Sequence, residues 1–230
     1  MANPSVDVET GRRAPLTRAR VLAAAVALAD RQGIDSLSMR KLADDLGVVP
    51  MALYKHVAHK EQLLDGMVDV VVAEIDPPVA GVGWKSAVRR RILSARRVLK
   101  RHPWAARVLE SRTDPTPAVL GYMDSMIGLF LEGGFSIDLA HHTMHALGSR
   151  LLGFTQELFD DSATPAEIPP EVLAELARRF PNVARIALGA SHDEGSSVLS
   201  RCDDQAEFEF ALDLMLDGLQ ERASAARSHP

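Results

Sequence analysis

His141, His142 and His145 lie close together in the chain, and histidines at i and i+4 of a helix can share one metal ion on its face. No third ligand is evident beside them and no HExxH occurs, and isolated helical histidines are more often surface or pocket groups. Ser149, His145 and Asp138 are the residue types of a nucleophile, a base and an orienter, but no nucleophile elbow or glycine-rich oxyanion loop accompanies them. A helical-bundle enzyme or metal-binding protein using His141, His142 and His145 is therefore the alternative reading. The leading one expects no catalytic residue, no cofactor and no metal. The other available chemistry is charge. Residues 10 to 60 carry nine basic side chains (Arg12, Arg13, Arg18, Arg20, Arg31, Arg40, Lys41, Lys55 and Lys60) against four acidic ones (Asp30, Asp35, Asp44 and Asp45), a local balance of +5. The remaining 17 basic and 27 acidic residues leave the rest at −10. A basic head on an acidic body suits a protein that touches a polyanion with one end, although chance unevenness gives the same arithmetic.

These groups need a scaffold. A chain of 230 residues, 47% hydrophobic and 25% charged, can bury a sizeable core as one large domain or two small ones. Aromatic content of 5%, abundant Ala and Leu and few β-branched clusters point to an all-α class. No stretch approaches the roughly 18 uninterrupted apolar residues of a membrane span. The start lacks the basic and apolar regions of a secretory signal, and Cys202 as sole thiol allows no internal disulfide. The expectation is a cytoplasmic protein with no membrane partner.

Helical spacing of apolar residues runs from a Thr17 cap to Gly33, followed by a short turn between Ile34 and Leu37. Ser38 caps a second helix through Leu46 that Gly47 ends, a third spans about 49–57, and a fourth runs from His59 to Ile75 until Asp76-Pro77-Pro78 breaks it. The Pro- and Gly-rich stretch 76–83 divides the chain. Residues 1–15 form a mobile arm, 16–76 a head, 84–222 a body and 223–230 a disordered tail. Body helices are expected at about 84–101, 103–111, 116–132, 137–159, 169–180 and 203–222, with mobile loops at 160–170 and 189–200.

Two short helices joined at Gly47, a residue tolerant of positive φ, form a helix-turn-helix whose second helix can lie in the DNA major groove. Most such hairpins are plain core elements, so the surrounding block decides. Leu16-Thr17, Ala24-Ala25, Leu28, Gly33, Leu37-Ser38-Met39-Arg40-Lys41-Leu42-Ala43, Leu46-Gly47-Val48, Leu53-Tyr54-Lys55-His56-Val57 and Lys60 to Leu64 resemble the DNA-binding domain of the TetR family of transcriptional regulators, densely over residues 16 to 68. Trp84, Gly133-Gly134-Phe135-Ser136, Gly153 and Glu157 fall in a register similar to the C-terminal domain of the tetracycline repressors. The resemblance implies a homodimer with an all-α ligand-binding domain, operator DNA as partner and repression relieved by a small molecule. It also implies that Val49, Pro50, Met51 and Ala52 open the helix that reaches base edges. Pro50, Met51 and Ala52 have no side-chain donor, so their contacts would be apolar, as to thymine methyls, and hydrogen-bonded readout falls to Arg40 and Lys55. Tyr54 and Lys60 match the family's phosphate contacts, the Ser38 hydroxyl either caps its helix or touches phosphate, and Lys41 is a further DNA-binding candidate.

On the helix from Ile137 to Phe159, Ala140, Met144, Leu147, Leu151, Phe154 and Leu158 form one stripe, with a second through His141, His145, Ser149, Leu152, Gln156 and Phe159. The last helix shows Phe208, Ala211, Leu212, Met215 and Leu219 on one face and Phe210 and Leu214 on another. The resemblance makes these helices a four-helix bundle across the dimer axis, with Leu147, Leu151, Phe154, Leu158, Phe208, Leu212, Met215, Leu216 and Leu219 at the interface. Trp104, Tyr122, Met123, Met126, Phe130 and Phe154, with His102, His145, Ser149 and Gln156 as polar anchors, are the candidate lining of an apolar effector pocket, although each of them singly suits an ordinary core. By register from Trp84, the position of the tetracycline repressors' metal-coordinating histidine falls near Leu109 and that of their drug-contacting asparagine near Arg91, so a magnesium–tetracycline complex is not the expected effector.

Overall fold

The structure, a computed structural model, describes residues 15–153, 169–189 and 204–228. Among them eleven α-helices and one 3-10 turn occur and no strand. The helices are α1 (Arg18–Gln32), α2 (Met39–Leu46), α3 (Pro50–Leu53), α4 (Lys60–Val72), α5 (Trp84–Arg101), α6 (Trp104–Glu110), α7 (Pro117–Glu132), α8 (Ile137–Gly153), α9 (Pro170–Arg179), α10 (Pro181–Gly189) and α11 (Asp204–Ser228). The chain divides into two compact units: residues up to Asp76 with Arg97–Tyr122, and Pro77–Arg96 with the residues from Met123 on. One division falls at the Pro- and Gly-rich stretch; another falls inside α5.

In the first unit the caps do what their residue types dictate. The Thr17 hydroxyl accepts from Arg20 N, the Ser38 hydroxyl from Lys41 N at 3.2 Å, and His59 Nδ1 from Gln62 N. Gln62 Oε1 reaches back to Ala58 N, which fixes the entry into α4. Val21, Ala25, Leu28, Leu42, Leu53, Val57, Leu63 and Met67 make the dry centre. α1 and α4 approach closely at Gly66, where a Cβ would meet the Leu22 side chain at 2.6 Å.

In the second unit, α7 ends in a Schellman turn: Gly134 takes φ 81°, Phe135 N donates to Phe130 O, and Gly134 N donates to Leu131 O. Phe135 then packs on Phe130 with ring centroids 5.4 Å apart, and Trp84 completes the cluster at 4.7 Å from Phe135. Gly133 is forced by this packing, since a Cβ there would sit 2.6 Å from the Trp84 ring. α11 runs antiparallel along the start of α5, as its ion pairs show: Lys85 with Asp217, Arg89 with Asp213 (2.6 Å) and Glu209 (2.7 Å), and buried Arg96 with Asp204 (2.6 Å). The Arg96 guanidinium also stacks 4.2 Å from the Phe208 ring centre.

Three expectations are corrected. Residues 223–228 are the last turns of α11 and no disordered tail: Ala-rich sequence favours helix, and Ala223 is buried. Residues 181–189 form α10, which Pro181 opens as a first-turn proline. α3 keeps α-helical form only to Leu53; Tyr54–His56 continue as a turn whose end still bonds Val57 N to Leu53 O. Residues 154–159 of the expected 137–159 helix and the two expected loops, apart from their edges, lie outside the described residues.

Candidate nucleic-acid interface

The α2–α3 junction is set by Gly47, which adopts the left-handed conformation at φ 67° and ψ 38°. Val48 N donates to Ala43 O and Gly47 N to Asp44 O, so the last carbonyls of α2 are satisfied as the chain turns. Leu53 and Val57, both fully buried, anchor α3 from beneath. That anchoring leaves the opposite face outward: Val49 is 68% exposed, Met51 72% and Tyr54 44%. Pro50 and Lys55 are exposed with them, Ala52 and His56 half-buried, and Ser38, Arg40, Lys41 and Lys60 stand exposed on the neighbouring elements.

The charges of this unit are arranged asymmetrically. Of the four acidic side chains between residues 10 and 60, three are engaged. Asp30 Oδ1 accepts the Trp104 indole N–H at 2.6 Å and lies 2.8 Å from His102 Nδ1, Asp35 takes two bonds from Arg107 at 2.8 and 2.9 Å, and Asp45 pairs with Arg31 at 2.9 Å. Hydrogen bonding to Arg107 and the guanidinium charge, helped by Lys60, hold the Asp35 carboxyl below its ordinary value. By contrast, the side chains of Arg40, Lys41, Lys55 and Lys60 make no hydrogen bond or ion pair among the described residues. Asp30 and Asp35 are thus held by His102, Trp104 and Arg107, whereas the cations around α2 and α3 stand exposed beside Asp44 and Asp45 of α2, four basic side chains to two acidic ones.

The expected effector residues fall in both units. His102 and Trp104 are buried in the first, taken up with Asp30, and His102 Nε2 also lies 3.3 Å from Glu74. Tyr122 is half-buried there. In the second unit Met126 and Phe130 are core, Met123 is partly exposed, and His145 and Ser149 are exposed; Phe154 and Gln156 lie outside the described residues. A cavity of about 180 Å³ exists elsewhere in the first unit, lined by Val68 of α4, Leu109 of α6, Arg112, Thr113, Asp114, Pro115, Thr116 and Val119. None of the sequence candidates lines it. Arg112, which does, also pairs with Glu61 and Asp65 of α4. His141, His142 and His145 are all exposed on α8, with the His141 and His145 rings 4.7 Å apart, and no three His, Cys, Asp or Glu converge on a metal-sized site among the described residues.

The interface expectation needs correction on α11. Phe208, Leu212 and Leu216 are fully buried within one chain and Leu147 nearly so, and such residues have no surface left to offer a partner. Leu151, Met215 and Leu219 are half-buried, and Phe154 and Leu158 lie outside the described residues. The apolar surface of α11 is its other stripe, Phe210 at 64% and Leu214 at 58% exposed.

A capped helix, a left-handed glycine turn and a short outward-facing second helix among unpaired cations define a helix-turn-helix DNA-binding regulator. Residues 21–67 match the model of the bacterial regulatory proteins of the tetR family, and residues 77–223 match the tetracyclin repressor-like C-terminal domain. The chain belongs to the TetR family, whose members are ligand-responsive transcriptional regulators that bind DNA as dimers, and it is not an enzyme. It is 30% identical to the HTH-type transcriptional repressor DrrR1 of Streptomyces coeruleorubidus over 92% of this chain and 82% of that one. An HTH-type transcriptional regulator of Saccharopolyspora erythraea is 38% identical, in a match spanning 52% of this chain and about half, 51%, of that relative. Among solved structures, apo ActR from Streptomyces coelicolor aligns with TM-score 0.71 and 27% identity, covering 94% of this chain and all of that one, and ActR has also been solved in complex with actinorhodin. No helix among the described residues is long and apolar enough to cross a membrane.

Proposed function

We propose that the chain is a cytoplasmic repressor that holds a palindromic operator as a homodimer and releases it when a small apolar or aromatic molecule binds. The observation that carries this reading is the α2–α3 face, where Arg40, Lys41, Lys55 and Lys60 stand exposed with no side-chain hydrogen bond or ion pair among the described residues, around the outward-facing Val49, Met51 and Tyr54. Tyr54, Lys60 and Lys41 contact phosphate and set the register of the protein on the duplex. Arg40 and Lys55 supply hydrogen-bonded readout, and Val49, Pro50, Met51 and Ala52 approach base edges. Ser38 is spent on its cap rather than on phosphate, as its bond to Lys41 N supports. Dimerisation uses the exposed stripe of α11 through Phe210 and Leu214.

Release is assigned to the first unit's own fastenings. Trp104 and His102 hold Asp30 of α1, Arg107 holds Asp35, and Arg112 holds Glu61 and Asp65 of α4. The cavity beside Arg112 lies where an occupant would disturb the last of these, and ActR in complex with actinorhodin supports small-molecule control in a similar fold. A mobility-shift titration with DNA flanking the chain's own gene tests the reading. A discrete complex that survives excess unrelated duplex is expected, and its dissolution by one compound of a metabolite panel identifies the effector.

A further inference from the structure

We propose that His59 is a further DNA contact, in which a neutral imidazole donates its Nε2–H to a backbone phosphate beside Lys60; this rests on the proposed reading of Lys60 as a phosphate contact. The ring is fastened at one edge and open at the other. Its Nδ1 accepts from Gln62 N at 3.2 Å and so caps α4, while Gln62 Oε1 takes Ala58 N at 2.6 Å in return. A ring nitrogen that accepts a backbone N–H carries no hydrogen of its own, so the cap places the ring proton on Nε2. The two nitrogens of an imidazole point away from each other. With Nδ1 turned to the first turn of α4, Nε2–H is directed away from the helix, and it makes no hydrogen bond among the described residues. Ala58, His59, Lys60 and Glu61 are all exposed, so an acceptor can reach it from outside. The nearby acids do not compete for it: Glu61 is paired with Arg112 and Asp35 with Arg107. A serine or threonine would cap α4 as well as histidine does. What the imidazole adds is a donor on its far edge, next to the ammonium of Lys60, and phosphate oxygen is the acceptor that such a pair suits.

The test separates a neutral donor from a cation and from a cap. His59→Ser keeps a capping oxygen and removes the far donor. It is expected to leave the melting temperature unchanged and to weaken binding to selected and unrelated duplexes by the same factor, about fivefold per copy and about thirtyfold for the dimer. Because a neutral donor displaces no counterion, the slope of log affinity against log salt is expected to equal that of wild type, whereas Lys60→Ala lowers it. Nitrogen-15 spectra of the wild-type ring are expected to show the proton on Nε2 in the free chain and a downfield shift of that proton when selected duplex is added. Wild-type affinity in His59→Ser overturns the proposal. So does a loss that comes with a lower melting temperature, a lower salt slope or an altered sequence preference, and so does an Nε2 proton that DNA does not move. Weakened binding in Lys60→Ala beside unchanged binding in His59→Ser overturns this proposal alone. Unchanged binding in both overturns the phosphate reading of Lys60 and this proposal with it.

Discussion

Single residues here are legible when their partner is near in sequence. Ser38 reads as a cap because the N–H that it accepts from belongs to Lys41, and Gly47 reads as a turn because its conformation is a property of its own backbone. Asp30 shows the limit: nothing local announces that one carboxylate oxygen takes both the Trp104 indole and His102, residues far along the chain. Trp104 and His102 thus carried the aromatic-and-polar signature of a ligand pocket while serving to fasten α1. The phosphate and base roles predict different phenotypes. Tyr54→Phe and Lys60→Ala should weaken binding to all DNA sequences alike, and Lys60→Ala should lower the slope of log affinity against log salt by about one. Fluorescence anisotropy across a salt series checks this, and altered sequence preference with unchanged nonspecific affinity would assign these residues the wrong role.

Among the helices, periodicity revealed which faces are apolar but not what covers them. α11 has two such stripes, and burial on folding and burial on association leave the same sequence signal. The structure shows which stripe is buried on folding, and the proposal that the other is buried on association is testable. Leu216→Glu places a carboxylate in a dry site and should cost roughly 3 kcal/mol or more of stability, read as a collapsed thermal transition. Leu214→Glu should keep the circular dichroism spectrum and melting behaviour of the folded protomer while analytical ultracentrifugation shows dissociation and operator affinity falls. If Leu214→Glu sediments as a dimer, the interface lies elsewhere.

The ladder between α5 and α11 adds a pH signature. Hydrogen bonds from Gln205 and Arg89 hold the Glu209 carboxyl below its ordinary value, and those from Arg89 do the same for Asp213. Carboxylates with depressed values stabilise the folded state fully above the usual carboxylate range, and that contribution is lost as pH falls through the folded values, below about pH 4. Arg89→Ala should therefore flatten the acid limb of the melting temperature in that window and leave the neutral limb parallel to wild type.

At the scale of the molecule, the all-α class and the helix-turn-helix were written in composition, spacing and the dense block from residue 16 to 68. The compact unit that contains the head was not, because Arg97–Tyr122 joins it through ion pairs and buried contacts with no sequence period. A regulator of this design works by coupling. A hundredfold loss of DNA affinity on effector binding requires about 2.7 kcal/mol of differential affinity, and reciprocity makes operator weaken effector binding by the same factor. Removing one fastening should shift the balance between the operator-binding and the released conformations, so Arg112→Ala is expected to shift operator affinity in the effector-free protein.

In the proposed dimer, two copies of the α2–α3 face read one duplex. Repeated selection of random DNA by the full-length chain, followed by sequencing of the bound fraction, measures it most directly. A two-fold symmetric motif is expected, with half-site centres one helical turn apart, roughly 34 to 36 Å, or a multiple of it, together with loss of that motif's enrichment in Leu214→Glu. Enrichment of no motif, or of an asymmetric one bound equally well by the Leu214→Glu protomer, would contradict it.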